Sequence, residues 1–305
     1  MDNIYKNLIK NISKNKVINS NINDSNFIML KNKTIDKCPY CKNKEFIKYG
    51  NYNKAQRYKC KNINCGKTFT SETYNVFRYS KKFKQKFQEY FSLLNEGLTI
   101  RQCAEKLNIT IVTSFFWRHR CLFYLKRKYY IEKINNHVEL SKMIITENFK
   151  GSREIENKRR DKIVVVNAIN NISDSIPIFA ARNIFGIYEV RDNILPRLEK
   201  GAYVVGHFDG KLKAFSEAFN EIYKTKLKPQ CNTIIDKCYS NNTKRWLVKF
   251  RGVATKYLDH YLYFRLFNYK NNRALIEEND VDYKSIYEVN SYIAWKNIKL
   301  KKLNI

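Results

Sequence analysis

Acidic side chains are scarce in this chain. Its 305 residues carry 28 Asp and Glu against 58 Lys and Arg, a formal charge of +30 at pH 7. An acidic protein or acidic small substrate does not call for so large an excess. A polyanion does, because each phosphate neutralised releases counterions. Codon bias in an AT-rich genome accounts for part of the Lys, Asn and Ile content, but not for the missing acids. Glycine (9) and proline (4) are also few, which excludes collagen-like and low-complexity chains. No apolar run reaches the roughly 18–20 residues of a membrane span. The opening MDNIYKNLIKNISKNK lacks the apolar core of a signal peptide. These absences point to a soluble intracellular protein with no membrane partner, in a bacterial nucleoid or cytoplasm or a eukaryotic nucleus. Thiols stay reduced there, so the 8 cysteines read as metal ligands and free thiols rather than disulfides.

Hydrophobic residues make up 44% and aromatics 14%, enough for a packed core. The length leaves room for about two domains, or one with appendages. Residues 1–33 form a Lys- and Asn-rich segment, read as a basic arm or a disordered tail. In residues 34–72, Cys38-x2-Cys41 and Cys60-x4-Cys65 bracket short alternating runs. Four thiolates on two knuckles can close a tetrahedron around one zinc ion, and so small a module needs the metal's folding energy. Cys103, Cys121, Cys231 and Cys238 lack pair spacing and read as buried thiols.

Residues 73–130 turn helical. FKQKFQEYFSLLNEG predicts a helix stopped by Gly97, and Thr99-Ile-Arg-Gln102 is a capping box for the next. Thr110 or Thr113 caps a third helix through SFFWRHRCLFYLKR. The segment reads as a helix-turn-helix or as an ordinary helical hairpin. On the first reading the second helix enters the major groove of DNA. Thr110, Thr113, Ser114 and Arg118 then face bases, while Arg120 and Lys126 suit phosphates. From 131 to 305 the pattern is mixed α/β. HVELSKMIIT, KIVVVNAIN, IPIFAAR, AYVVGHF and CNTIID read as strands. IYEVRDNILPRLEK is a helix that Pro196 bends or ends, and KAFSEAFNEIY is another.

Five segments occur in an order more specific than any one of them: CPYC…YKCKNINCGKTF, GLTIRQCAEKLNIT…FFWRHR, VELSKMIITENFKG, FDGKLKAFSEAF and KRWLVKFRGVATKYLDHYL. Together they resemble bacterial insertion-sequence transposases of the zinc-ribbon, ISXO-like type. The resemblance covers roughly Lys37 to Phe267 and is sharpest at Phe250 to Leu262. It implies a ribonuclease H-like domain behind a zinc ribbon and a helix-turn-helix, DNA as partner, and self-association. It also implies two divalent cations, Mg or Mn, held by two acids and a third acid or Asn.

At the family's chemical positions this sequence departs. The first acid falls on Ser141, and the Glu after it on Lys142. The second is retained as Asp209. The third ligand falls on Lys237, a nearby His becomes Ser240, and Lys244 is kept. A hydroxyl brings no charge to offset dehydration of Mg²⁺, and a protonated lysine is no ligand. Two readings follow. In one, the centre is damaged and DNA binding survives without strand transfer. In the other, Glu139, on Ser141's face of the strand, and Asp236, next to Lys237, replace the lost ligands, with Glu147 a further spare acid. Without metals, Asp209-Gly210 can also be a plain strand-end turn.

Overall fold

A computed structural model describes residues 35–52, 55–73, 75–150, 160–226, 239–273 and 292–302. The basic segment 1–33, the strand expected at 231–236, Asp236, Lys237, Cys231 and Cys238 lie outside these residues. The chain divides into two compact units, Met1–Gln88 with Asp280–Tyr292, and Glu89–Asn279 with Ile293–Ile305. The described residues form a mixed α/β protein with two sheets and eight α-helices.

The first unit holds a three-stranded antiparallel sheet: β1 (Phe46–Tyr52), β2 (Ala55–Cys60) and β3 (Thr68–Phe69), in that order. Its inner face is small. Phe46, Tyr58 and Phe69 meet at ring-centroid distances of 5.3, 5.5 and 5.8 Å, above Cys38 and Cys60. So little apolar surface cannot offset the chain entropy of a module this size.

The division between units falls within α1 (Lys81–Asn95). Gly97 (φ 86°) ends that helix region, and α2 (Ile100–Lys106) starts on the expected capping box of Thr99 and Gln102. Asn108, also left-handed (φ 49°), turns the chain into α3 (Ile111–Tyr129), capped by Thr110. Tyr90 fixes this hairpin: it packs edge-on against Trp117 at 5.5 Å and donates to the Ser114 carbonyl at 2.5 Å.

The larger sheet has the order β6-β5-β4-β7, formed by β4 (His137–Thr146), β5 (Lys162–Asn170), β6 (Ser175–Arg182) and β7 (Tyr203–His207). β4, β5 and β6 are antiparallel neighbours, while β7 runs parallel to β4. Between β6 and β7 the expected helix is broken. A short α4 (Ile187–Glu189) passes into a π turn over Val190–Ile194 and a 3₁₀ turn at Leu195–Arg197, where Pro196 sits. α5 (Gly210–Ile222) covers one face through Leu212 and Phe219. α6 (Tyr239–Val248) and α7 (Leu258–Arg273) cover the other, with Leu258 and Leu262 on Met143 and Val165. A last short helix, α8 (Trp295–Leu300), sets Trp295 against Phe115 and Phe116, each at 5.6 Å. Among the described residues no helix is long and apolar enough to cross a membrane.

Candidate functional site

Cys38, Cys41, Cys60 and Cys65 come together, every Sγ lying within 4.8 Å of the others. Cys38 and Cys65 are 3.8 Å apart, Cys41 and Cys60 3.5 Å. Four thiolates at the usual zinc–sulfur length of about 2.3 Å stand about 3.8 Å from one another in a tetrahedron, so the set fits one zinc ion. Each knuckle closes on backbone bonds. Lys42 N–H donates to the Cys38 carbonyl at 2.9 Å, and the Cys65 and Gly66 amides donate to Asn62 at 2.9 Å. Both knuckles end in left-handed backbone, at Lys42 (φ 67°) and Gly66 (φ 51°). The thiols are chemically unequal. The Asn43 amide and neighbouring thiols bring Cys41 down to about 7 despite burial, whereas burial pushes Cys60 up to about 12. Cys103 and Cys121 are buried thiols elsewhere, as their spacing suggested.

The helix-turn-helix positions divide. Thr110 is exposed and Thr113 half-buried, with the Thr113 amide donating to Thr110 Oγ1 at 3.1 Å. Three others face inward in this structure. Ser114 is buried and donates to the Ile100 carbonyl at 2.8 Å. Arg118 is buried, donates to the Leu98 carbonyl at 2.5 Å and lies over the Phe250 ring. Arg120 is buried with its guanidinium 4.4 Å from the Phe116 ring centroid. Lys126 is half-buried, and its ammonium pairs with Asp259 at 2.7 Å. Lys244 is exposed on α6.

At the candidate catalytic centre, Ser141 lies midway along β4 beside His207 of β7. It is buried, and its Oγ is 2.7 Å from Ser240 Oγ of α6. Ser240 also accepts from Asn167 Nδ2 at 2.9 Å. This is an uncharged hydroxyl and amide network, and hard cations are poorly served by it. Asp209 follows Phe208, an exposed aromatic held at φ 58°, where a bulky side chain is strained. That residue interrupts the strand's alternation. The Asp209 carboxylate accepts from the Lys211 and Leu212 amides at 3.0 and 3.2 Å, capping α5, and ion-pairs with the Lys142 ammonium. Burial alone would raise the Asp209 carboxyl, but Lys142 and the two amides hold it below the usual carboxylate range.

The spare acids have partners. Glu139 is buried, with Oε2 3.2 Å from His207 Nε2 and Oε1 4.0 Å from His137 Nε2. Burial, then the His207 charge, lowers the His137 pKa. Glu147 takes Arg182 on both oxygens, at 2.9 and 3.0 Å. Sequence reasoning missed Asp259, which is buried and paired with both Lys126 and Lys301. It also missed His207 as the partner of Glu139. The available signal was strand alternation, which sets His137, Glu139 and Ser141 on one face.

No family model matches the chain, and no solved structure does. Over 79 residues, 26% of its length, the chain is 32% identical to a protein described as uncharacterized in transposable element ISH50 of Halobacterium salinarum. The stretch covers 26% of that relative as well, so the likeness ties this chain to one part of an insertion-sequence protein.

Proposed function

We propose that this chain is a DNA-binding protein derived from an insertion-sequence transposase, with a ribonuclease H-like domain whose strand-transfer centre is impaired. Three lines support the origin and fold. One is the likeness to a transposable-element protein. Another is a mixed sheet whose first three strands form antiparallel hairpins and whose fourth pairs parallel with the first. The third is the four-cysteine site ahead of a helix-turn-helix. DNA as partner rests on the charge of +30 and on exposed cations such as Lys244.

The single observation that carries impairment is the Lys142–Asp209 ion pair. Asp209 is the one family acid retained among the described ligand positions, and a tethered ammonium sits where a divalent cation would have to sit. Ser141 offers a hydroxyl already bonded to Ser240. These residues do not fit two Mg²⁺ or Mn²⁺ ions.

The test is cleavage and strand transfer with Mn²⁺ on DNA carrying the gene's native flanks, beside an Asp209→Ala control. Sequence-specific binding without products is expected. Products that vanish in the control would establish a working centre and overturn impairment. Absence of binding to any duplex would overturn the DNA reading itself.

A further inference from the structure

The inner face of the three-stranded sheet is its aromatic core, and the outer face has a different character. Ile47 and Tyr49 stand there on β1, each about half exposed, beside Arg57 and Lys59 of β2 and Thr68 of β3. The β1–β2 register shifts between Lys48 and Asn51, setting Tyr49 and Gly50 opposite Arg57. Gly50 has φ 69° with open space around it, so the backbone of the bulge, not crowding, selects glycine. Gln56 Nε2 locks this bulge by donating to the Gly50 carbonyl at 2.8 Å. Bulges of this kind re-aim a side chain, and here the one presented is Tyr49.

Two cations lie over its ring. Lys59 Nζ is 5.3 Å and Arg57 Cζ 5.7 Å from the Tyr49 centroid. Arg57 is held in place, donating from Nη2 to Thr68 Oγ1 at 2.7 Å. Among the described residues neither cation forms an ion pair with an acid. Between Glu45 and Glu72 the sequence has no Asp or Glu and carries Lys48, Lys54, Arg57, Lys59, Lys61 and Lys67. A half-exposed aromatic with two cations over its ring, in an acid-free stretch, matches the chemistry of an unpaired base whose flanking phosphates draw the cations off the ring as the base stacks. Inside a duplex the base faces are stacked on each other and inaccessible to such a ring.

We infer that the outer face of this sheet is a binding site for single-stranded DNA, with Tyr49 stacking on a base and Arg57 and Lys59 taking the flanking phosphates. The inference rests on the DNA-binding reading above and adds strand state to it.

The zinc-loaded full chain is titrated with a single strand of about 15 nucleotides carrying a fluorescent base analogue, and with its duplex. Tyr49→Ala should weaken single-strand binding by about tenfold and abolish quenching of the analogue, while duplex affinity changes little. Tyr49→Phe should keep both signals. Lys59→Gln should lower the salt dependence of single-strand binding by somewhat less than one counterion, about 0.7. Zinc content equal to that of the native chain verifies that each variant is folded. If Tyr49→Ala leaves the single-strand affinity and quenching intact, the stacking site is wrong although DNA binding stands. A wild-type chain that prefers RNA of the same sequence would overturn the choice of DNA. A chain that binds neither strand state would overturn the DNA reading and this site with it.

Discussion

Lys142 shows how one side chain can settle the electrostatics around an acid at a strand end. An ammonium brings a single positive charge and no open coordination positions, and it satisfies Asp209 directly. Removing it should therefore expose the carboxylate. The double change Ser141→Asp with Lys142→Glu is expected to give Mn²⁺ binding measurable by calorimetry, with either change alone giving much less. No gain from the pair would mean that these positions do not converge on one cation. That Lys142 lies near Asp209 was legible in the sequence, because Asp-Gly ends one strand run and Lys142 sits mid-strand in another. The direct pairing was not, since it depends on the break in alternation at Phe208. The burial of Arg118 and Arg120 was not legible for a related reason. Charged side chains on a helix are usually solvated, and here the Leu98 carbonyl and the rings of Phe250 and Phe116 receive them inside.

At the scale of elements, much of the fold could be read directly. The strand at His137–Thr146 has the predicted limits, Gly97 stops α1, and Thr99 with Gln102 begins α2. Those features are written locally, in period, caps and left-handed turns. The strand order was not, because a parallel β4–β7 pair depends on contacts more than sixty residues apart in sequence. One of those contacts turns on Gly206. A Cβ there would stand 2.3 Å from the Leu212 backbone, so glycine is what lets α5 lie on β7. Gly206→Ala should cost about 1–3 kcal/mol of unfolding free energy in urea, and a shifted α5 would carry its capping residue Asp209 away from Lys142. The four-cysteine module answers to a different force. Its described core is four aromatic rings and Ile35 around the cysteines, so zinc removal should unfold residues 35–69 and leave the second unit standing. All three tryptophans, Trp117, Trp246 and Trp295, belong to that second unit. Chelation is therefore expected to raise hydrogen exchange in the ribbon with no change in tryptophan emission. A simultaneous loss of both signals would show that the units do not fold independently.

Across the whole molecule, the buried histidines and the paired carboxylates of the second unit pull in one direction. His260 is brought down to about 3, first by burial, against the attraction of Asp259, with Lys301 and Lys126 adding to the fall. His119 lies well below its ordinary value for the same first reason, reinforced by His260 and Lys301. Both imidazoles are neutral in the folded protein and gain a proton near pH 6.5 when unfolded. Each therefore contributes stability that is full above about pH 6.5 and is lost as pH falls toward the folded value. Asp209 and Asp259 are also held below the ordinary carboxylate range, Asp259 in spite of burial because His260, Lys301 and Lys126 surround it. Their contribution is lost at still lower pH, below about 4. Lys301, lowered to about 8 by burial and only partly restored by Asp259, has the same sign at the alkaline end. The unfolded chain binds its proton more readily, so this group's contribution grows between about pH 8 and its ordinary value. Cys121, Tyr90 and Tyr239, pushed up by burial, act the other way above about pH 9. Urea unfolding followed by tryptophan emission should thus show a midpoint that falls steadily from about pH 7 to about pH 4.5. The two histidines together contribute a slope of up to about 2.7 kcal/mol per pH unit. His260→Gln should remove about half of that slope while leaving the carboxylate loss below pH 4 in place. A flat profile in the native protein would mean that these imidazoles are solvated, and that the α3–α7 packing which buries them is not the packing in solution.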